Sequence, residues 1–434
     1  MSATGEEKAH GSGSETSSTH QLEIYERPRG WRGIYYHTAT QVCLVGFVCF
    51  MCPGMFNALT GLGAGGQVDA TSSANANAAL YATFAFFAFF SGSVHNVLGP
   101  RLCLLLGTWG YSLYIASYLA TNIHPGAGDF VVVAGAMLGV CAALVWTAQG
   151  SLMMAYPTEA QKGTFIGYFW AIFNLGGVVG SAVAFGSNYN STANKVGNGT
   201  YIVFLILTLT GVILPLFLAD PYKMIRTDGT RVTPIRHPSW KTEFISLFVA
   251  LRTDPWIVLL FPMFFASNYF YTWQFNDYNG ALFNIRTRGL NNFVYWTAQI
   301  FGSFFIGHFV LDLRRFRRRV RAFMGWSIVV VFVFSVHLWS YYYQFLLDSM
   351  WQTTAYWLMG AMSNDPAKLA VFTGFYKCFQ SAGSAVVWRL DAVQKPYMDI
   401  FISTWVLAAA GMICAFPLVY ARVKDYTEMD DEAL

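Results

Sequence analysis

The stretch DPYKMIRTDGTRVTPIRHPSWKTEFISLFVALRTDP, residues 220–255, decides the fold, because it is a long basic interruption between two apolar halves. The 434 residues of the chain are 55% hydrophobic and only 12% charged. An ordinary soluble domain is about 25% charged. This composition excludes a disordered chain, a disulfide scaffold and an ordinary soluble enzyme. The chain is therefore predicted to be embedded in a lipid bilayer.

Apolar runs of about 20 residues, the length that crosses a hydrocarbon core, recur on both sides of this stretch. Twelve runs are predicted to span the membrane: 36–60, 78–98, 102–121, 130–154, 164–186, 200–219, 256–275, 292–312, 322–343, 345–362, 369–388 and 397–420. The sequence thus predicts an all-α polytopic membrane protein with twelve transmembrane helices in two six-helix bundles. The predicted parts are a disordered cytoplasmic tail (1–33), two bundles (34–219 and 256–421), the cytoplasmic linker 220–255 and an acidic cytoplasmic tail (422–434).

The distribution of basic residues predicts the orientation. With both termini in the cytoplasm, the inner segments hold 21 of the 27 Lys and Arg residues and the outer segments five, as the positive-inside rule requires. The cluster Arg314–Arg321 then faces the inner leaflet, which favours an anionic lipid surface over nucleic acid as its partner. The sequons at Asn190 and Asn198 fall on the outer face, where glycosylation is predicted.

Polar residues inside the apolar spans are the candidate pathway, because such groups are costly in lipid and usually face the interior of a bundle. Lys377 is the strongest candidate among them, since it lies too deep in the eleventh span to reach the membrane surface easily. It is interpreted as an anion-attracting or proton-linked group, or as a structural lysine bonded to carbonyl oxygens or paired with Asp348 or Asp399. Further candidates for lining the same cavity, or for bonding helices together, are Gln149, Asn174, Trp170, Asn268, Gln274, Gln299 and Gln380.

The remaining chemistry-bearing residues show no enzyme site. The seven cysteines lie in apolar segments and the histidines lack metal-ligand spacing, so no metal or cofactor is predicted. No acid, base and nucleophile constellation is present. The outer mouth holds Asn276, Asp277, Arg286 and Arg288. An ion pair that steadies this loop is expected there in preference to contact with a substrate.

Two six-span bundles joined by a long inner loop are the architecture of the major facilitator superfamily, which places a substrate cavity between its halves. After the second span, Gly92, Asn96, Gly99 and Arg101 resemble the inner-loop signature of that superfamily, with Asn96 where the signature has Asp. The corresponding loop of the second half holds Gly307 and Asp312.

Several longer segments resemble the fungal Unc-93-like branch of this superfamily. They are PGMFNALTGLGAGG (53–66), FWAIFNLGGVVGS (169–181), FFASNYFYTWQFNDYN (264–279), FNIRTRGLNN (283–292), WQTTAYWLMGAMSN (351–364) and GFYKCFQSAGSAVVWRLD (374–391). The resemblance implies a twelve-span fold and a transporter of a small molecule or ion. Animal relatives imply an alternative, a non-transporting regulator or trafficking partner of another membrane protein such as a channel or receptor. The short connection Tyr341–Asp348 favours this alternative.

Overall fold

The computed structural model describes residues 25–26, 28–67, 70–191, 195–232, 240–338 and 346–426. Within these ranges the regular structure is helical. Most of the predicted N-terminal tail, the centre of the linker, the turn between the ninth and tenth spans and the end of the acidic tail lie outside the described residues.

Six spans form the N-terminal half. The first, α1, is a bent pair, Thr38–Met51 and Pro53–Gly61, whose axes differ by 40°. The bend falls at Pro53, because proline is accommodated at the first position of a new helix but cannot continue the old one. The other five spans are α2 (Ala70–Leu98), α3 (Pro100–Ile123), α4 (Gly128–Ala155), α5 (Lys162–Ser187) and α6 (Asn198–Ile213).

Six further spans form the C-terminal half. The helix Trp240–Thr253 precedes them, and the chain turns by 89° before entering α7. This span is broken into Pro255–Leu260, Phe261–Ala266 and the π-helix Trp273–Gly280. The remaining spans are α8 (Ile285–Phe304, continued to Leu311), α9 (Arg318–Leu338), α10 (Leu347–Met362), α11 (Pro366–Ala392) and α12 (Tyr397–Pro417, continued to Arg422).

Length and apolarity alone identify eight of these spans among the described residues, or ten when each bent pair counts as one. The other two, α10 and α11, complete the twelve. Every residue of the 16-residue α10 is buried, and so is every residue of α11 from Ala367 to Lys377. Since protein rather than lipid surrounds these segments, they tolerate polar side chains that a lipid-facing helix would not.

The two halves meet along two helix pairs, α2 with α11 and α5 with α8. Small residues permit the contact. A Cβ atom added to Gly92 would lie 2.8 Å from the carbonyl oxygen of Ala370, and one added to Gly163 would lie 2.5 Å from that of Gly307. Small residues at such positions let helix backbones approach closely.

Ordered structure begins earlier than the predicted boundary at residue 34. The helix Trp31–Tyr35 lies partly within the predicted tail, and the Tyr25 backbone N–H donates to the carbonyl oxygen of Gly229 at 2.9 Å. The end of the tail is therefore fastened to the linker. Asn190 and Asn198 are both exposed, and their glycosylation stays a prediction.

Candidate functional site

A small closed cavity of about 40 Å³ lies between the two halves, at the middle of the spans. A water molecule needs roughly 10–15 Å³ by the same measure, so the cavity has room for about three waters. Its walls come from α1–α5 in the first half and α7, α10 and α11 in the second. The polar lining residues are Asn57, Tyr81, Tyr111, Trp146, Trp170, Asn268, Tyr271, Gln352, Lys377 and Gln380.

Lys377, near the middle of α11, is the one charged residue of this lining. Its Nζ donates to Gln380 Oε1 at 2.7 Å, and the side chain is 2% exposed. Nζ also lies 4.3 Å from the ring centroid of Trp146 and 4.7 Å from that of Tyr376. Among the described residues no carboxylate oxygen lies within 4.0 Å of this nitrogen. An amide oxygen and aromatic faces therefore hold the ammonium, and no direct ion pair does.

A chain of two glutamines connects this ammonium with a buried carboxylate. Gln380 Nε2 donates to Gln352 Oε1 at 3.1 Å, and Gln352 Nε2 donates to Asp348 Oδ1 at 2.7 Å. The other carboxylate oxygen, Oδ2, accepts from the hydroxyls of Tyr271 at 3.1 Å and Tyr295 at 3.2 Å. The direct pair expected between Lys377 and Asp348 is thus replaced by an indirect connection, while Asp399 is exposed at the start of α12.

The broken segment of α7 supplies the next part of the wall. Asn268 lies where the helix Phe261–Ala266 gives way to turns, so its side chain is free to point inward. Its Oδ1 accepts from Gln380 Nε2 at 2.9 Å and from Gln352 Nε2 at 3.3 Å. The neighbouring Ser267 Oγ accepts from Gln380 Nε2 at 3.0 Å. The break in α7 therefore fixes the orientation of Gln380, and through it the acceptor of Lys377.

Three lining residues of the first half have polar groups that no other described residue satisfies. The amide of Asn57, on the second part of α1, and the hydroxyl of Tyr81, on α2, form no hydrogen bond with another described residue. The indole Nε1–H of Trp170 on α5 is buried and has no acceptor in this part of the chain. Buried polar groups are normally paired, so these residues leave unused hydrogen-bonding capacity in the wall of the cavity.

Four of the eight predicted pathway residues line the cavity, namely Lys377, Gln380, Asn268 and Trp170. The other four do not. Gln149 faces Met153 and Tyr356, and Asn174 is buried beside the cavity with an unpaired Nδ2. Gln274 lines a separate, smaller cavity towards the outer face. Gln299 Oε1 accepts from the Ser349 backbone N–H at 2.6 Å, so it caps the start of α10.

The outer end of the cavity is closed by contacts between α1 and the C-terminal half. Asn276 Oδ1 accepts from the Ala64 N–H at 2.9 Å, and Asn279 Nδ2 donates to the carbonyl oxygen of Gly61 at 2.8 Å. Gly63, at φ +74°, makes this contact possible, because an added Cβ would lie 2.7 Å from the Cα of Gly280.

The expected ion pair at this outer mouth is not formed among the described residues. Arg288 donates to the carbonyl oxygens of Phe283 and Gly280, and the guanidinium of Arg286 lies 5.5 Å from the ring centroid of Tyr189. Both arginines therefore stabilise the turn before α8 through backbone and ring contacts.

The inner end is closed at the start of α5. Lys162 Nζ donates to the carbonyl oxygen of Gly360 at 2.5 Å and to that of Ser363 at 3.0 Å, both at the end of α10. Asp312, which follows α8, accepts from the backbone N–H of Gly163 at 2.9 Å and of Thr164 at 2.5 Å. A carboxylate from one half therefore caps a helix of the other.

Burial disfavours the charged form of the Asp312 carboxylate that caps α5, and its hydrogen bonds favour that form. Asp312 is 7% exposed, and burial raises the pKa of its carboxyl group above the ordinary value. The donors at the start of α5 and the guanidinium of Arg321, 4.0 Å away, lower that pKa in part. The charged carboxylate is thus held mainly by the positive end of α5.

The inner-loop motif of the first half is arranged differently. Asn96 Nδ2 reaches the carbonyl oxygen of Ala367 at 3.5 Å, a long contact without charge. Gly99, at φ +78°, begins α3, and Arg101 donates to the carbonyl oxygen of Leu218 within its own half. The motif predicted from the sequence thus packs the helices, while its counterpart at Asp312 forms the charged cap.

These features define a membrane protein with the major facilitator fold, and solved structures show the same fold. The crystal structure of the transporter FucP in its outward conformation matches with a TM-score of 0.60 and 10% identity, over 90% of this chain and 99% of that one. The proton:xylose symporter XylE matches with a TM-score of 0.61 and 12% identity, over 92% and 98%.

Sequence comparison identifies the family within that class. The profile of the family described as "Ion channel regulatory protein UNC-93" matches residues 64–341. An UNC93-like protein of Schizosaccharomyces pombe is 43% identical over 94% of this chain and 88% of its own length. UNC93-like protein 1 of Arabidopsis thaliana is 40% identical over 97% and 96%. The chain therefore belongs to the UNC-93 family, as the resemblance indicated.

Proposed function

We propose that this protein is a secondary transporter that carries a small solute across the membrane by alternating access. The supporting observation is the enclosed cavity between two six-span halves, with the single charged side chain of Lys377 in its wall. Each end of this cavity is closed by contacts between the halves, at Asn276 outside and at Lys162 inside. Such contacts are suited to break alternately as the halves rock.

Lys377 carries the solute-dependent step in this proposal. A buried ammonium held by one amide and aromatic rings loses little when a solute group replaces the amide oxygen. Lys377→Arg keeps the charge but brings a planar, larger group into the small cavity, and Lys377→Ala removes the charge. We expect both variants to lower flux about tenfold or more, since a charge-assisted hydrogen bond is worth roughly 1.5–3 kcal/mol.

Counterflow into proteoliposomes tests this, with acetate, lactate, glucose, glycine and choline as probes. The exposed Lys395→Ala serves as the matched control, because it removes a lysine outside the cavity. Uptake of one probe class above that of empty liposomes, lost in both Lys377 variants and kept in the control, supports the proposal. No uptake of any probe contradicts transport, and equal flux in all variants removes Lys377 from the mechanism.

A second candidate is a regulatory or trafficking subunit of an ion channel or receptor, which the description of the matching family favours. Mild-detergent purification and current recordings with and without the chain discriminate between the two. A stoichiometric channel partner, whose current changes equally with the wild type and with Lys377→Ala, supports regulation. A partner-free chain with Lys377-dependent flux supports transport.

Both termini are proposed to face the cytoplasm, with a small solute and the bilayer as the partners of the transporter. The exposed Arg314, Arg315 and Arg317 then lie at the inner leaflet, on the face that also carries the Lys162 closure. Protease accessibility of a C-terminal tag in intact and permeabilised cells checks this orientation.

A further inference from the structure

We propose that the central cavity binds a small anion of single charge, with a carboxylate or similarly compact oxyanion as its charged group. This inference rests on the proposed function for its role in transport, but it concerns the ligand and is testable by binding alone. It depends on three features of the cavity: its charge, its unsatisfied polar groups and its size.

The charge of the lining is positive. Lys377 is the one lining residue of a type that normally carries a charge at neutral pH. The nearby carboxylate of Asp348 is occupied by three donors, from Gln352, Tyr271 and Tyr295. It therefore stabilises the distant end of the hydrogen-bond chain and is not exposed to the ligand. A solute entering the cavity meets the ammonium of Lys377 and no carboxylate in the lining, while Asp348 acts on that ammonium only from behind the two glutamines.

Several N–H groups of the lining side chains have no hydrogen-bond acceptor among the described residues. An ammonium has three N–H groups, and among the described residues Nζ of Lys377 has one acceptor, Gln380 Oε1. Across the cavity, the Asn57 amide and the Trp170 indole N–H have no acceptor in the described chain. Residues with unused N–H groups thus stand on both sides of the cavity, and an anion is a ligand that accepts from such groups.

The size of the cavity limits the ligand to a compact group. Space for about three waters accommodates a carboxylate, nitrate or halide, whereas a hexose would require the walls to separate. The rings of Trp146, Trp170 and Phe173 form an apolar side beside these donors, which suits a short hydrocarbon attached to the charged group. The chemistry of the lining thus favours a small monocarboxylate over a cation or a sugar.

Binding measured in detergent tests the inference without any need for flux. The purified full-length protein is titrated calorimetrically with the sodium salts of acetate, lactate, benzoate and nitrate in a gluconate buffer. Acetamide and tetramethylammonium serve as the neutral and cationic comparisons. We expect the anions to bind at least about tenfold more tightly than acetamide, and Lys377→Gln to abolish that difference.

Two further variants keep the test informative if the lysine variant does not fold. Trp170→Phe removes the indole N–H and keeps an aromatic ring, so anion affinity should fall about tenfold. Trp388→Phe is its matched control, since Trp388 also has a buried, unpartnered indole N–H but lies outside the cavity. Asn57→Asp places a resident carboxylate in the cavity and should abolish anion binding.

The outcomes separate this inference from the proposed transport. Anion binding that requires Lys377 and weakens in Trp170→Phe supports the anion site, even if no flux is measured and transport itself is rejected. Acetamide or tetramethylammonium binding as tightly as the anions overturns the anion site, as does equal anion affinity in Trp170→Phe, Asn57→Asp and the wild type. Lys377-dependent flux of a neutral solute alone would retain the transporter and reject the anion.

Discussion

Asp277, near the outer end of α7, is a buried carboxylate that has lost its expected partner. It is 4% exposed, and the one group among the described residues that interacts with its carboxyl is the carboxyl group of Asp391. Asp391, at the end of α11, interacts with it unfavourably and itself accepts from Asn276 Nδ2 at 2.7 Å. Two buried carboxyl groups in contact cannot both ionise at low cost, whereas a neutral amide of the same shape beside one carboxylate avoids that cost.

We therefore expect Asp277→Asn to stabilise the protein. The substitution removes the repulsion from Asp391 and provides an amide that can donate to it. The melting temperature in detergent should rise by about 2 °C or more, as about 1 kcal/mol of added stability produces in a large chain. Asp399→Asn is the control, because Asp399 is exposed in the first turn of α12, where a negative charge is favourable. A lower melting temperature of Asp277→Asn would show that this carboxylate has a stabilising ligand.

Single residues differ in how far the sequence reveals them. Lys377 could be predicted, because a lone cation in the middle of an apolar span is conspicuous in any reading. Asn57 could not, since an asparagine in a short broken helix carries no such signal. Gln352 was hidden for another reason, and Asp348 could be predicted only as a direct partner of Lys377: the limits of α10 had to be known before the depth of either residue in the membrane could be judged.

Whole helices also differ in how well the sequence predicts them. The spans that face lipid are long and apolar, and most of them were predicted to within a few residues. The α10 and α11 helices carry Asp348, Gln352 and Lys377 because neighbouring helices cover them. Hydropathy measures compatibility with lipid, so it detects such enclosed helices least well. The two segments that carry the ionisable residues of the candidate site, α10 and α11, are therefore those with the weakest membrane signal.

The start of α5 is the element for which the structure predicts a gating effect. Asp312→Asn keeps the shape of the side chain but removes the charge that faces the first N–H groups of α5. Loss of a helix cap costs about 1 kcal/mol or more, so we expect the inner closure to open roughly tenfold more often. A cysteine at Ser151, buried between the halves near Pro366, should then react about tenfold faster with a maleimide added from the inner side.

Asp228→Asn is the matched control for this gating prediction. Asp228 lies in the linker and accepts from the N–H and the hydroxyl of Thr230, within its own turn. Its substitution changes the charge of the same face without touching α5. If Ser151→Cys reacts equally fast in the Asp312→Asn, Asp228→Asn and unmodified backgrounds, Asp312 does not hold the inner closure.

At the scale of the whole molecule, both ends of the cavity are closed in the same conformation. A transporter must open one end at a time, so each closure has to separate during every cycle. A regulator that presents a fixed surface to a channel has no such requirement. Linking the halves covalently at either end therefore distinguishes a rocking molecule from a rigid one.

Two cysteine pairs provide this test. At the inner end, Thr164→Cys is combined with His308→Cys, whose native side chains are 3.1 Å apart across the halves. At the outer end, Asn75→Cys is combined with Arg389→Cys, which replaces a 3.0 Å contact between α2 and α11. A short bifunctional methanethiosulfonate reagent should join each pair, and either link should reduce flux to the level of empty liposomes.

The single-cysteine variants are the controls, since they carry the same native thiols and the same reagent without a link between the halves. Reduction of the link should restore flux, because the block is mechanical and leaves Lys377 and its cavity intact. Ligand cannot enter or leave the cavity while the halves are linked. Only anion that was bound before linking should therefore remain bound, and its release should be slower in both linked proteins. Flux that continues with either pair fully linked would mean that the halves do not rock at that closure, and alternating access would have to be abandoned.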